Sequence, residues 1–192
     1  MTAPDDGRVR CGWAQTNNEM YRDYHDQEWG RPLHGRIQLF ERMSLEAFQS
    51  GLSWLIILRK RENFRRAFDG FEIEKVAGFD ESDVERLMAD TGIVRNSAKI
   101  LATIANARAA IDLGTDLSEF LWSFAPPARP RPTQMSEVPA TSPESTAMAK
   151  ELKRHGFKFV GPTTAYALMQ ATGMVDDHVR SCWVPTTQSG AA

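Results

Sequence analysis

Glu46, Gln49 and Trp54 lie close together in the chain, separated by a short bend at Gly51-Leu52-Ser53. A carboxylate, an amide and an indole at this spacing suit a flat, cationic heterocycle. The indole face attracts positive charge, while the carboxylate opposes it and accepts hydrogen bonds. Gly51 can end one helix and Ser53 can cap the next, so Glu46 and Trp54 would flank the bend. Each residue also has an ordinary reading. Glu46 can pair with Arg42, one turn earlier, on a wet helix face, and Trp54 can be core.

Cys11, His25, His178 and Cys182 offer a second kind of chemistry. If His178-x-x-x-Cys182 is helical, an imidazole and a thiolate share one face and can bind one ion. Cys11 and His25 would complete a Cys2His2 set that staples the two ends of the chain. Four protein ligands leave no open position, so such a site is structural. The Cys11–His25 interval is not that of a zinc finger, and two unrelated buried cysteines with two hydrogen-bonded histidines explain the spacing equally well. The two cysteines sit near opposite ends of a chain with no visible secretory signal, which points to free or metal-bound thiols over a disulfide.

A third feature covers 152–172, where a helix, a five-residue hairpin Phe157-Lys158-Phe159-Val160-Gly161 and a second helix follow one another. A helix-hairpin-helix unit aims backbone N–H groups at phosphates and needs few basic side chains. An ordinary helical packing unit is the competing reading.

The elements that must position these groups are all helical. Tyr21, Tyr24, His25 and Glu28 recur at helical spacing, giving a short helix over 21–27. The next helix, about 36–50, puts Ile37, Phe40, Ala47 and Phe48 on one face and Glu46 off it. Helices are then expected over 53–68, from an Asp80 cap to Thr91-Gly92, over 97–113 and over 116–124. Prolines 126, 127, 130, 132 and 139 exclude a helix from 125–142. Ser142-Pro143-Glu144 restarts one that runs to Arg154 and stops at Gly156, and the last covers 162–172. No segment alternates like a strand. The prediction is an all-α fold of at least seven helices.

At 192 residues, with 42% apolar and 25% charged residues, the chain can bury a substantial core. A net charge of −2 excludes coating of nucleic acid by bulk electrostatics. It leaves room for local basic faces at Arg59-Lys60-Arg61 with Arg65-Arg66, and at Lys150, Lys153, Arg154 and Lys158. No apolar run reaches the roughly 18 residues that span a bilayer, so no membrane role and an intracellular location are expected.

Five motifs in one order, Cys11-Gly12-Trp13, Tyr24-His25-Asp26-x-Glu28-Trp29-Gly30, Glu46-x-x-Gln49-x-Gly51-Leu52-Ser53-Trp54, Gly156-Phe157-Lys158-Phe159-Val160-Gly161 and Asp177-His178-Val179, closely resemble the bacterial 3-methyladenine DNA glycosylase I family. The resemblance runs from Cys11 to Cys182. It implies a helix-hairpin-helix DNA glycosylase-like bundle, one domain over 11–184 that can divide into two helical lobes with the base pocket between them. Flexible tails are expected at 1–10 and 185–192. It also implies one structural zinc on Cys11, His25, His178 and Cys182, a cytoplasmic monomer, double-stranded DNA with alkylated bases as substrate, and free 3-methyladenine as product.

The implied reaction is hydrolysis of the N-glycosidic bond of 3-methyladenine in a DNA repair pathway. Methylation at N3 gives the base a positive charge and makes it a good leaving group, so recognition and orientation matter more than chemical force. Glu46 takes the catalytic role, accepting a hydrogen bond from the exocyclic amine and opposing the ring's charge. That role needs a desolvated carboxylate rather than a surface pair with Arg42. Trp54 and Tyr24 would hold the base, with Trp13, Tyr21, Trp29 and Gln49 as pocket wall. Leu52, beside Gly51 at the bend, would fill the gap left in the duplex, and Phe159, Val160 and Gly161 would grip the backbone.

Two departures from the wider helix-hairpin-helix superfamily carry information. Its lyase members place a Schiff-base lysine where this chain has Thr163, which predicts a monofunctional glycosylase. The first hairpin glycine is replaced by Phe159. The superfamily's catalytic aspartate falls at Asp176 in Val175-Asp176-Asp177-His178, a minor candidate because His178 is committed to metal. The rival function is a zinc-stabilised module that binds damaged DNA and excises nothing.

Overall fold

A computed structural model describes residues 6–186, and the expected tail residues 1–5 and 187–192 lie outside that range. Packing begins before the expected domain boundary, first with Arg8 over the Trp183 ring at 4.0 Å and then with Arg10. Its guanidinium is buried and ion-pairs with Asp26 at 2.8 Å.

Nine α-helices and no strands occur among the described residues. They are α1 (Glu19–Gln27), α2 (Arg36–Gln49), α3 (Trp54–Ala67), α4 (Ile73–Ala77), α5 (Glu81–Ala89), α6 (Ser97–Ile111), α7 (Leu117–Trp122), α8 (Pro143–Arg154) and α9 (Pro162–Ala171). Local chemistry sets their ends. Asn18, Asp80, Asn96, Asp116 and Ser142 each accept a hydrogen bond from a backbone N–H of the first turn. Ser53 occupies the expected cap position before α3, but its hydroxyl makes no capping bond. Helix α4 escapes sequence reading because its five residues are too few to establish a period.

Helix α2 is the centre of the fold. It packs against α3, α6, α7 and α9, so every residue from Arg42 to Phe48 is buried. Phe48 stacks into an aromatic core with Phe64 and Phe68, at ring centroid distances of 4.7 and 5.9 Å. The sequence wheel puts Glu46 off this apolar face and therefore suggests a surface charge. From Arg42 to Phe48 the helix turns no face to solvent, and Glu46 is 5% exposed.

Helices α8 and α9 form the helix-hairpin-helix. Gly156, at φ +88°, ends α8 in a Schellman motif: Phe157 N–H donates to Leu152 O and Gly156 N–H to Lys153 O. The bend between α2 and α3 is a different device, a type II turn with Gly51 at φ +80° after Ser50, closed by Leu52 N–H donating to Gln49 O. Lys99 reaches across from α6 and donates to Phe48 O at 2.9 Å and Ser50 O at 2.6 Å, closing the exposed carbonyl end of α2. The connector 125–142 contains no α-helix, only a 3-10 turn at Met135–Glu137. It is tied down by Arg129 to Asp177 and Arg131 to Asp176, each at 2.8 Å.

Candidate functional site

A cavity of about 230 Å³ opens between α1, α2, the start of α3 and α9. This is below the roughly 300–1,000 Å³ typical of drug-sized ligand sites and suits a single planar base. Glu46, Gln49, Trp54, Tyr24, Tyr21, Trp13 and Trp29 all line it. Met135, Ala167 and Gln170 also line it, and sequence reasoning missed them. Ala167 and Gln170 stand one turn apart on one side of α9, a spacing that would have found them once Glu46 was known to face that helix. No pattern singles out Met135, which arrives from the proline-rich connector.

Two polar groups in this cavity have no protein partner. The Glu46 carboxylate accepts no hydrogen bond among the described residues, and the buried Trp54 Nε1–H has none to donate to. Burial pushes the Glu46 carboxyl up to about 7, against a smaller downward pull from the Arg42 guanidinium. Arg42 makes no ion pair or hydrogen bond with Glu46. It donates through Nη1 to Tyr24 Oη at 2.9 Å and through Nη2 to Glu28 at 3.1 Å, so the surface pair that would have made Glu46 an ordinary residue does not form. Tyr24 and Trp54 face one another with ring centroids 5.4 Å apart.

Cys11, His25, His178 and Cys182 meet beside this cavity. Their ligand atoms all lie within 4.8 Å of one another, and all four residues are buried, so they could hold one metal ion. His178 and Cys182 do not reach it from a helix. Residues 178–182 form a turn closed by Cys182 N–H donating to Val179 O, and that turn brings the two side chains together. Each imidazole has its second nitrogen engaged: His25 Nδ1 with Asp26 at 2.8 Å and His178 Nε2 with Trp29 O at 3.0 Å. These bonds direct His25 Nε2 and His178 Nδ1 at the sulfurs, 3.5–3.6 Å away, with a long contact from Cys11 N–H to His25 Nε2 at 3.4 Å. The cluster also buttresses the cavity. Trp13 packs edge-on against His25 at 5.1 Å, and Trp29 against His178 at 4.7 Å.

Among the expected DNA contacts, Leu52 stands exposed at the bend with Gly51, and Phe159 is exposed at the hairpin. The Val160 side chain is buried, so only its backbone can reach outward. Phe159 adopts φ +56°, the left-handed conformation that favours glycine. Asn106 on α6 holds the preceding residue from both sides, donating to Lys158 O at 3.0 Å and accepting from Lys158 N–H at 2.7 Å. Asp176 is buried and paired with Arg131 and does not line the cavity. Thr163 lies in the first turn of α9.

Residues 13–185 match the methyladenine glycosylase family. The chain is 47% identical over 178 residues to DNA-3-methyladenine glycosylase 1 of Escherichia coli (strain K12), covering 90% of this chain and 95% of that protein. A crystal structure of 3-methyladenine DNA glycosylase I superposes with a TM-score of 0.87 at 43% identity, over 91% of this chain and 98% of the other. A variant of a 3-methyladenine DNA glycosylase I crystallised in complex with 3-methyladenine superposes at 0.86, with 35% identity over 92% and 97% of the two chains.

Proposed function

The chain belongs to the methyladenine glycosylase family, and on that premise we propose that it flips 3-methyladenine out of alkylated double-stranded DNA and hydrolyses its N-glycosidic bond. The observation that carries this reading is the unpartnered Glu46 carboxylate in an aromatic cavity the size of one base. An unpaired buried carboxylate is costly, and a cationic guest with an exocyclic amine relieves that cost by supplying both charge and a hydrogen-bond donor.

In this mechanism the base enters between Tyr24, Trp54 and the wall formed by Trp13, Tyr21, Trp29 and Gln49. Glu46 holds the exocyclic amine and balances the ring's charge. The aromatic faces add about 1–2 kcal/mol of cation–π attraction in the absence of water. The sugar–base bond is already weakened by the positive charge, so a held and oriented base is ready to leave and water completes the hydrolysis. Leu52 occupies the vacated stack while the backbone of Phe159, Val160 and Gly161 and the start of α9 contact phosphate. The enzyme is monofunctional, since Thr163 carries no amine for a Schiff base and Asp176 is tied to Arg131.

We assign zinc to the Cys2His2 cluster. A tetrahedral zinc sets sulfur and nitrogen ligands about 3.6 Å apart, and three sulfur–nitrogen pairs here lie at 3.5–3.6 Å. Cys11, His25, His178 and Cys182 would hold the ion and so cross-link the chain ends, and four protein donors would make it structural rather than catalytic. The enzyme acts as a cytoplasmic monomer, and no helix among the described residues is long and apolar enough to cross a membrane.

The rival reading, a damaged-DNA sensor that excises nothing, needs stacking but no buried acid. Incubating the protein with methylated duplex and analysing the products separates the two. Free 3-methyladenine released above the spontaneous rate, with abasic sites that break only after alkali, is the expected result. Damage-selective binding without release would overturn the enzyme, and direct nicking would overturn monofunctionality.

A further inference from the structure

We propose that Arg42 is a positioning residue for base recognition: it fixes Tyr24 as a hydrogen-bond donor toward the cavity, and Glu28 and Arg61 hold it in place. The inference deepens the reading of this cavity as a base pocket and rests on it.

Arg42 is an unusual residue for its position. It lies on α2 one turn before Glu46, is 8% exposed, and sits 5.3 and 5.6 Å from the ring centroids of Tyr24 and Trp54. A guanidinium beside these rings opposes a cationic guest, so its presence needs a different physical reason. The hydrogen-bond inventory supplies one. A guanidinium has donors only, so in the 2.9 Å contact Tyr24 Oη must be the acceptor. The phenolic hydrogen is then left over, and no described residue takes it. Tyr24 lines the cavity, so that hydrogen is available to an acceptor on the bound base.

Donation from a charged partner also polarises the phenol and makes it a stronger donor. Without Arg42 the hydroxyl could accept or donate, and its rotor would be unspecified. Arg42 is itself immobilised. Its Nη2 binds Glu28 at 3.1 Å, and Arg61 on α3 grips the same carboxylate at 2.6 and 2.9 Å. Glu28 thereby balances part of the positive charge brought up behind the aromatic wall. The chain Arg61–Glu28–Arg42–Tyr24 joins three helices or their ends to one hydroxyl.

The test is a double-mutant cycle on the full-length, metal-loaded protein with Arg42→Met, Tyr24→Phe and the pair together. Two quantities are measured: affinity for free 3-methyladenine, and single-turnover release of the base from alkylated duplex. Arg42→Met and Tyr24→Phe are each expected to weaken base affinity about 3–10-fold, and the double variant to be no weaker than Tyr24→Phe alone. Arg42→Lys, which keeps a cationic donor, should recover most of the loss. Thermal melts accompany each variant. If Arg42→Met does not fold, the Arg42→Lys and Glu28→Gln variants carry the same test against Tyr24→Phe. Losses that add in the double variant, or wild-type base affinity in Arg42→Met, would overturn the assignment. Failure of the wild-type protein to release base would instead strike the glycosylase reading, and the free-base cycle would still decide Arg42.

Discussion

Arg42 reaches Tyr24 Oη at 2.9 Å and leaves Glu46, one helical turn further along α2, without a hydrogen bond. The nearest obvious counter-ion is thus committed elsewhere, and the carboxylate stays desolvated beside a cavity that can receive a cation.

Folding stability should fall as pH rises through the range in which Glu46 ionises. Its carboxyl moves from an ordinary 4.5 to about 7 on burial, so the folded state binds the proton more tightly than the unfolded state. The stabilising preference for the neutral form is complete below about 4.5 and is lost progressively up to about 7. At 1.36 kcal/mol per pH unit the effect is about 3 kcal/mol. Urea melts of wild type and Glu46→Gln at pH 5 and pH 8 test this. The variant should gain relative stability at the higher pH by an amount of that order. Equal pH slopes for the two proteins would mean that Glu46 is not desolvated.

Base affinity should show the opposite pH trend. The free base is neutral, because the bonding pair returns to the ring when the glycosidic bond breaks, so its hold on Glu46 is the hydrogen bond from the exocyclic amine. The ionised carboxylate accepts this bond more strongly than the neutral acid, and wild-type affinity for 3-methyladenine should rise with pH through about 7. Loss of a charge-assisted hydrogen bond of about 1.5–3 kcal/mol predicts that Glu46→Gln binds about 10–100-fold more weakly at pH 8. The gap should narrow toward pH 5, where the wild-type carboxyl is already neutral. Titration calorimetry at the two pH values measures both, and a gap that does not change with pH would contradict the role given to the charge.

Metal should be present at one ion per chain, and its loss should disturb the pocket. Asp26 orients His25 through Nδ1, so Asp26→Asn should lower metal affinity about 10–100-fold while leaving all four ligands in place. Cys182→Ala should lower metal content outright. Trp13 and Trp29 pack on the two ligand imidazoles, so chelation should change tryptophan fluorescence and weaken base binding together. Elemental analysis alongside the emission spectrum is the check, with full metal retention in Cys182→Ala the result that removes it from the ligand set.

Much of this site is legible in the sequence because its signals are local. Caps and glycines mark α5, α6, α8 and the bend at Gly51, and the five motifs contain Trp13, Tyr24, Trp29, Glu46, Gln49 and Trp54 of the cavity wall. What is not legible depends on burial from several directions at once. The helical wheel misplaces Glu46 because a wheel describes one helix against solvent, whereas α2 is enclosed by four others. The i, i+4 spacing of His178 and Cys182 suggests a helix, yet the segment is a turn, since a turn closing on itself can bring the same two side chains together. Met135 and the Arg42–Tyr24 contact join segments far apart in sequence, and no spacing rule reaches that far.

The hairpin should depend on Asn106 more than on its own sequence. Phe159 at φ +56° is strained where glycine would be relaxed, by an amount on the order of 1 kcal/mol, so something must hold it there. Asn106, 1% exposed, satisfies both backbone groups of Lys158 immediately before it. Asn106→Ala leaves those two groups unpaired and should cost about 1–3 kcal/mol of stability. It should also free Lys158 to Val160 to relax toward the extended region, speeding their amide exchange. Affinity for duplex DNA should then fall, because the backbone amides of the hairpin no longer point together at phosphate, while affinity for free 3-methyladenine stays near wild type because the cavity is elsewhere. Equal losses for duplex and free base would indicate general loosening of the fold, and unchanged duplex affinity would show that the hairpin backbone does not contact DNA.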